Sequence, residues 1–396
     1  MFYNKNTTRV IDKIIHVVLA AAFILVGIVF SGCERIQPII PPAASETTIK
    51  IGLIYSPTDP GTTRNGVELA VSIANEAGGI KGKTIELLTR ESNREPLLSV
   101  QHAKELINAG VFAILGPDYS DEAVEVGAVV QQYGIPMMTT YPTNPKVTRN
   151  GNFSFLGAIR DPDQARIMAN FAVEELNAKT AAVLTETGDS YSEELSIAFI
   201  NDFAAQGGMV ATQQFYDSGV TDFTEQLTEI NAVDPPIEIV FLAGLGSEFP
   251  LAVKQAKSEQ FGVTATFLGG DGWDRPDLIE IDGTALEGSF FANHFSTNAP
   301  LSETGNLFVN LYIENFGMTP NGPAALGFDS TNIVIQAMQR SSILTPAAIR
   351  DQIEVTQNYD GAMMLSHFDE NRYAIKGIII NTVKDGKIQF HRSIAP

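Results

Sequence analysis

The sequence is poor in cysteine, histidine and basic residues, and each shortage excludes a class of protein. A single cysteine in 396 residues rules out a disulfide framework within the chain. There are 46 acidic residues against 26 basic ones, and no basic run follows residue 33. Nucleic acid is therefore an unfavourable partner, because its recognition needs clustered positive charge. The four histidines after residue 33 lack metal-ligand spacing, and no G-x-S-x-G motif occurs. We expect no enzyme, no cofactor and no metal site.

The first 33 residues have the pattern of an export signal. Three basic residues precede the apolar run Ile14–Phe30, and two small residues then lead to Cys33. This arrangement resembles a bacterial lipobox, although Phe30 stands where leucine is usual. A run of this length is at the edge of what can span a bilayer, so a retained anchor is the alternative. We predict a signal peptide over residues 1–33, lipidation of Cys33 and a proline-rich tether over residues 34–47.

From residue 48 onward the hydrophobic pattern alternates between strand and helix periods. Ile49, Ile51 and Leu53 recur at every second position, whereas apolar residues from Val67 to Ala74 recur at helical spacing. The same pattern predicts strands at 85–89, 111–116, 136–140, 180–185, 209–216, 237–243, 266–269, 377–383 and 387–391, and helices at 95–109, 121–133, 191–206, 223–231, 248–260, 304–316, 323–339 and 345–355. Repeated strand–helix units indicate parallel sheets covered by helices. Two such runs predict a two-lobed α/β protein with its ligand at the carboxyl ends of the strands.

The segment Asn75–Thr84, NEAGGIKGKT, is one residue short of the phosphate-binding pattern G-x-x-x-x-G-K-[ST]. A phosphate loop follows a strand and opens a helix. This segment instead follows a predicted helix and precedes a predicted strand. We therefore interpret Gly78 or Gly79 as the left-handed residue that ends the helix.

That segment, the Phe328-Asp329 pair in a late helix and the segment 368–371 together resemble the type I periplasmic binding proteins. The closest group is the leucine/isoleucine/valine-binding family of ABC transporters. The resemblance implies an extracytoplasmic protein that clamps a small amino acid between two lobes, without chemistry, and delivers it to a membrane permease. An alternative with the same fold is a receptor that reports an amino acid or amide to a sensor. We expect a monomer, anchored in the membrane by lipid on Cys33.

The resemblance also implies that the chain crosses between the lobes three times, so that each lobe is discontinuous. The crossings are expected near residues 159–162, 292–295 and 365–368. The predicted N-terminal lobe comprises residues 48–160 and 296–365, and the predicted C-terminal lobe comprises residues 161–295 and 366–396.

By the same resemblance, three ligand-binding residues fall in the N-terminal lobe. Ser120 matches a serine that binds the ligand carboxylate, and Thr143 matches a threonine beside it. Tyr141 stands where the family offers a backbone oxygen to the ligand amine. Considered alone, these residues have structural alternatives. A serine at this place is also a typical helix N-cap, and Tyr141 and Thr143 flank a proline in a turn.

Three further residues are carried over in or near the C-terminal lobe. Asp161 matches an aspartate at the first crossing, and Tyr191 matches a tyrosine that packs across the ligand. Asp271 corresponds to the acidic partner of the ligand ammonium, one methylene shorter than the commoner glutamate. The structural alternatives are a helix start for Asp161, core packing for Tyr191 and a turn beside Gly272 for Asp271.

The sequence departs from the family pattern around the expected site. The loop 56–61 is short and lacks an aromatic residue, Leu245 replaces an aromatic wall, and Asp118 places an acid near the expected carboxylate site. Four acidic residues but only two basic ones fall in the loops that face the cleft: Asp118, Asp161, Glu186, Asp271, Arg160 and Arg275. Uncompensated burial of carboxylates beside an anion is unfavourable. We therefore predict a ligand that carries at least one positive charge.

Overall fold

The computed structural model describes residues 47–57, 62–275 and 278–396. Cys33, the signal peptide predicted over residues 1–33 and all but the last residue of the tether predicted over 34–47 lie outside these ranges. Within the described ranges, no helix is both long enough and apolar enough to span a bilayer.

The first part of the chain forms a five-stranded parallel sheet in the order β2-β1-β3-β4-β5. Its strands and connecting helices are β1 (Thr48–Tyr55), α1 (Thr62–Glu76), β2 (Thr84–Glu91), α2 (Pro96–Asn108), β3 (Ile114–Leu115), α3 (Ser120–Tyr133), β4 (Met137–Met138) and β5 (Ser154–Phe155). Ile49, Ile51 and Leu53 are fully buried between the sheet and its helices, as their alternation predicts. We call the elements packed on this sheet the first lobe.

The chain then builds a second set of strands and helices of the same kind. These are α4 (Asp161–Glu174), β6 (Thr180–Glu186), α5 (Ser190–Ala205), β7 (Met209–Tyr216), α6 (Thr224–Asn231), β8 (Ile239–Ala243), α7 (Glu248–Ala256), β9 (Thr266–Gly269), α8 (Leu278–Asp282) and β10 (Phe290–Asn293). These five strands are parallel to one another. The strands β6 and β8 are buried along their whole lengths, which explains their continuous hydrophobic runs.

The last part of the chain contributes helices and strands to both lobes. Three helices and three short strands pack on the first lobe: α9 (Glu303–Phe316), α10 (Gly322–Arg340), α11 (Pro346–Glu354), β11 (Gln357–Asp360), β12 (Met364–Phe368) and β13 (Ala374–Ile375). A hairpin of β14 (Ile378–Lys384) and β15 (Lys387–Ile394) then completes a seven-stranded sheet in the order β15-β14-β10-β9-β8-β6-β7. We call the elements packed on this sheet the second lobe. The predicted two-lobed α/β class is confirmed.

The third crossing lies further along the chain than the residues 365–368 expected from the sequence. Leu365, Phe368 and Ala374 belong to the hydrophobic core of the first lobe. The ring of Phe368 meets that of Phe155 edge-on, with 5.6 Å between centroids. Because these apolar contacts hold β12 and β13 on the first lobe, the chain reaches the second sheet only at Ile378.

The glycine pair after α1 ends a helix, as the sequence predicts. The helix stops at Glu76, and the next strand begins at Thr84. Gly79 has φ +71°, and its N–H donates to the carbonyl of Ala74 at 2.8 Å. A Cβ on Gly79 would lie 2.0 Å from the carbonyl oxygen of Lys83, so only glycine fits this turn.

Candidate ligand-binding site

A buried pocket lies between the lobes, at the carboxyl ends of their parallel strands. It is lined by Asp118, Tyr119, Ser120, Tyr141, Pro142, Thr143, Tyr191, Leu245 and Asp271. Five of the six residues predicted to bind the ligand are among these, and Asp161 donates its N–H to the carbonyl of Thr143 at 3.1 Å. The structure therefore brings together residues that are up to 151 positions apart (271 − 120).

Ser120 is the first residue of α3, and its side chain is almost completely buried. The N-cap position belongs to Tyr119, and no side chain caps this helix. The interpretation of Ser120 as a plain N-cap is therefore wrong. The hydroxyl oxygen accepts from the backbone N–H of Asn144 at 3.4 Å. A hydroxyl beside the free N–H groups of a helix start is a favourable place for an anionic group.

Asp271 lies on the opposite wall, in a short 3₁₀ turn that follows β9. Its side chain is buried, and Oδ2 lies 2.7 Å from His294 Nε2, which donates to it. The other oxygen, Oδ1, has no hydrogen-bond partner among the described residues. The backbone N–H of Asp271 donates to Gln164 Oε1 at 3.0 Å, which fixes the turn. The free carboxylate oxygen is therefore an acceptor in need of a donor.

His294 is a site residue that the sequence analysis missed. Burial lowers its pKa, while the neighbouring Asp271 acts in the opposite direction. His294 directly follows β10, and β10 pairs in parallel with β9, the strand that leads to Asp271. The rule that ligands lie at the carboxyl ends of neighbouring strands would have found it, had β10 been predicted.

Two tyrosines bind the same turn from different directions. The hydroxyl of Tyr141 donates to the backbone oxygen of Asp271 at 2.8 Å. The hydroxyl of Tyr191 accepts from the backbone N–H of Gly272 at 3.0 Å. Burial raises the pKa of Tyr191 well above its usual range, so the phenol stays neutral. The resemblance predicted only a backbone role for Tyr141, but its side chain also forms part of the pocket wall.

Asp161 is the first residue of α4 and is fully buried. Neither of its carboxylate oxygens has a hydrogen-bond partner among the described residues. Burial raises its pKa well above the usual range, the nearby Thr143 hydroxyl opposes this, and the charge of Asp271 adds to it. Asp161 therefore begins a helix, which is the structural role considered for it in the sequence analysis. Its carboxyl group also lies near the pocket without a hydrogen-bond partner among the described residues.

Asp118 has a structural role that the sequence analysis did not predict. Its Oδ2 accepts from the backbone N–H of Ser56 at 2.9 Å, and its Oδ1 accepts from the hydroxyl of Thr140 at 3.0 Å. The carboxyl group thereby joins the loops that follow β1, β3 and β4. Burial nevertheless raises the pKa of Asp118 to about 7.

Outside the pocket, a cleft of about 790 Å³ is bordered by both lobes. Arg94, which follows β2, approaches Glu186 at 3.5 Å and Asp189 at 3.3 Å across this cleft. Its guanidinium also lies 4.8 Å from the ring centre of Tyr119. Burial disfavours the charged guanidinium, yet the two carboxylates hold the pKa of Arg94 above its usual range. Lys146 and Glu194 form a second interlobe ion pair at 3.3 Å.

These contacts correct the predicted source of positive charge. Arg160 pairs with Asp163 at 2.7 Å within α4 and its N-cap, and Arg275 donates to the backbone oxygen of Leu245 at 2.8 Å. Arg94, which the sequence analysis did not name, is the cation that faces Glu186. Within the described ranges, no cluster of three side chains has the composition and spacing of a metal site.

Comparisons with known proteins agree with the two-lobed fold. The profile of a family described as periplasmic binding protein matches residues 48–387. A Leu/Ile/Val-binding protein homolog from Brucella melitensis is 31% identical over 263 residues, which cover 63% of this chain and 68% of the relative. A leucine-binding protein from Thermotoga maritima superposes with a TM-score of 0.82 at 32% identity, covering 88% of this chain and 99% of the other. The branched-chain amino acid transporter substrate-binding protein LivJ from Streptococcus pneumoniae, in complex with isoleucine, gives 0.82 at 25% identity, with 88% and 100% covered.

Proposed function

The chain belongs to the periplasmic binding protein family, and from this membership we propose that it is the solute-binding component of an ABC importer. Its ligand is an α-amino acid of the class bound by the Leu/Ile/Val-binding relatives, or a close analogue. The protein closes on this ligand outside the cytoplasm and delivers it to a membrane permease. The observation that carries the proposal is the opposition of Ser120 and Asp271 across one buried interlobe pocket.

The two walls suit the two charged groups of an α-amino acid. The ligand carboxylate is held by the Ser120 hydroxyl and the first N–H groups of α3, where the helix dipole favours negative charge. The ligand ammonium donates to the unpartnered Oδ1 of Asp271. Thr143 lies beside Ser120, and Tyr191 borders the same pocket from the second lobe. Asp161, whose N–H donates to the carbonyl of Thr143, presents a buried carboxyl group near the pocket.

Binding proceeds without turnover in this proposal. The hydroxyls of Tyr141 and Tyr191 bond to backbone atoms of the Asp271–Gly272 turn. His294 Nε2 donates to Asp271 Oδ2, so it orients this carboxylate in the pocket wall. Each of these groups thus fixes the pocket geometry that selects the ligand.

A thermal-shift screen tests the proposed ligand class. Zwitterionic α-amino acids are expected to stabilise the protein, since a ligand at 100 times its Kd adds about 2.7 kcal/mol to the free energy of unfolding. Dicarboxylates and neutral sugars, tested in parallel at equal concentration, are expected to leave the melting temperature unchanged. Stabilisation by a dicarboxylate or a sugar, with no effect of any α-amino acid, would contradict the proposal.

We further propose that the protein is exported and anchored at the membrane as a monomeric lipoprotein. The support is the sequence pattern that ends at Cys33. Intact mass of the protein purified from native membranes is expected to correspond to a chain that begins at Cys33 and carries lipid. A mature N-terminus upstream of residue 33, or a free thiol on Cys33, would refute the anchor.

A further inference from the structure

Arg94 lies in a tight turn whose backbone suits glycine better than arginine. The N–H of Glu95 donates to the carbonyl of Ser92 at 3.0 Å, and the two residues between them, Asn93 and Arg94, have φ +53° and +62°. A turn with both central residues left-handed usually has glycine at the second of them. An unfavourable backbone conformation persists only where the surrounding contacts fix it. The side-chain contacts of Arg94 are the interactions that can offset this conformation.

These contacts lie on the other lobe. Arg94 Nη2 is 3.5 Å from Glu186 Oε1 and 3.3 Å from Asp189 Oδ1. Glu186 ends β6 and is 1% exposed, and Asp189 is the N-cap of α5 and is 5% exposed. Burial raises the pKa of both carboxyl groups, and the charge of Arg94 opposes this. Separation of the lobes would remove this counter-charge from both carboxylates, which is unfavourable at buried sites. We call Arg94, Glu186 and Asp189 the clasp.

The clasp stands where the buried pocket meets the outer cleft. The guanidinium of Arg94 lies over the ring of Tyr119, and Tyr119 borders both the pocket and the cleft. A further interlobe contact lies on the same side, where Asn144 Nδ2 donates to the carbonyl of Ser190 at 2.8 Å. The described residues that line the pocket do not include the three clasp residues. The clasp therefore joins the lobes without forming part of the pocket wall.

We propose that the clasp stabilises the closed arrangement of the lobes, so that Arg94 determines ligand affinity without touching the ligand. The effect on affinity rests on the proposed function, whereas the effect on closure does not. A ligand held by both lobes binds the closed state more tightly than the open one. Any contact that is made only in the closed state raises the population of that state and lowers the apparent Kd.

The variant Arg94→Gly tests the proposal, because it removes the side chain and suits the left-handed backbone, so the protein is expected to remain folded. Its Kd for L-leucine, measured by calorimetry, is expected to rise by roughly tenfold. In small-angle scattering without ligand, its radius of gyration is expected to exceed that of the unaltered protein. The matched control Arg90→Ala removes an ion pair of similar exposure inside the first lobe, with Glu105 at 3.0 Å, and is expected to change neither quantity.

A double-mutant cycle assigns the effect to the ion pairs of the clasp. Glu186→Gln removes one charge and keeps the size of the side chain. Asp189 is less suitable, because its carboxylate also accepts from the N–H of Ser192 at 2.9 Å and so caps α5. If the two side chains act as a pair, Arg94→Gly weakens binding less in the Glu186→Gln background than in the unaltered protein. The loss caused by Arg94→Gly is also expected to shrink at high ionic strength.

The outcomes separate the clasp from the proposed function. An unchanged Kd and an unchanged radius in a folded Arg94→Gly variant overturn the clasp. An equal rise of Kd in Arg90→Ala does so too, since it indicates a general effect of surface charge, and so do strictly additive losses from Arg94→Gly and Glu186→Gln. Absence of binding of leucine, isoleucine and valine by the unaltered protein contradicts the proposed function, while the comparison of radii still decides whether the clasp holds the lobes together.

Discussion

The Asp271→Ala variant is expected to lose about 2–5 kcal/mol of binding free energy for the amino-acid ligand, which is roughly a 30- to 5,000-fold rise in Kd. Asp271 is 1% exposed, and its Oδ1 has no hydrogen-bond partner among the described residues. The ligand ammonium supplies the missing donor. Truncation of the carboxylate leaves that ammonium desolvated inside the closed pocket without its counter-charge, and this desolvation accounts for most of the loss.

Calorimetry on a small set of variants isolates the charge of Asp271. Asp271→Asn keeps the size of the side chain and a carbonyl oxygen for His294, so a large loss in this variant assigns the effect to charge. Glu259→Ala, an exposed substitution on the second lobe, is expected to bind as tightly as the unaltered protein. Unaltered affinity in a folded Asp271→Ala variant would show that the ligand ammonium binds elsewhere.

Helices and strands were predicted well where the spacing of their apolar residues shows whether one face or both faces are buried. The strand 209–216 and the strand 266–269 match β7 and β9, and the turn at Asp385-Gly386 joins β14 to β15 with both residues at positive φ. The strand predicted over 111–116 contains β3, and the residues on either side also bond to neighbouring strands. The N–H of Phe112 donates to the carbonyl of Lys50 at 2.9 Å, and that of Gly116 donates to the carbonyl of Met138 at 3.0 Å.

The family resemblance assigned the candidate site residues their roles, and the hydrophobic pattern placed only the loops in which they lie. Ser120 and Asp271 follow strands that the hydrophobic pattern reveals, so the loops could be placed before the structure was known. Arg94 and His294 could not be found in this way, because what matters is their partners, Glu186 and Asp271. Arg94 lies 92 positions before Glu186 (186 − 94), and periodicity contains no information on such pairing.

The short strands β5, β10 and β11 to β13 were missed for a related reason. The strand β5 has only two residues, which is too short for any period to be recognised, and β11 is polar at three of its four positions and mostly exposed. Each of these strands is defined by its hydrogen bonds to a neighbouring strand, which the hydrophobic pattern does not report. The resemblance placed the third crossing at 365–368, whereas β13 keeps the chain on the first lobe beyond those residues.

The second large effect concerns the pH dependence of stability at Asp118. Its pKa is about 7 in the folded protein against an ordinary value of 3.8, because burial disfavours the carboxylate despite donors from Ser56 and Thr140. Between these values the folded state binds more protons than the unfolded state. Stability therefore falls as the pH rises from 3.8 through 7, and a shift of about three pKa units corresponds to about 4 kcal/mol.

The Asp118→Asn variant does not titrate at this position, so its stability relative to the unaltered protein is expected to change with pH. Urea unfolding at pH 4 and pH 8 measures the difference, which should move in favour of Asn by up to about 4 kcal/mol over that range. Because Asp118 lines the pocket with Ser120, its ionisation above pH 7 also places a negative charge near the ligand carboxylate. Ligand affinity of the unaltered protein is accordingly expected to weaken above pH 7 and that of Asp118→Asn to stay level. A difference in unfolding free energy that is the same at both pH values would mean that folding does not raise the pKa of Asp118, because its two donors offset its burial.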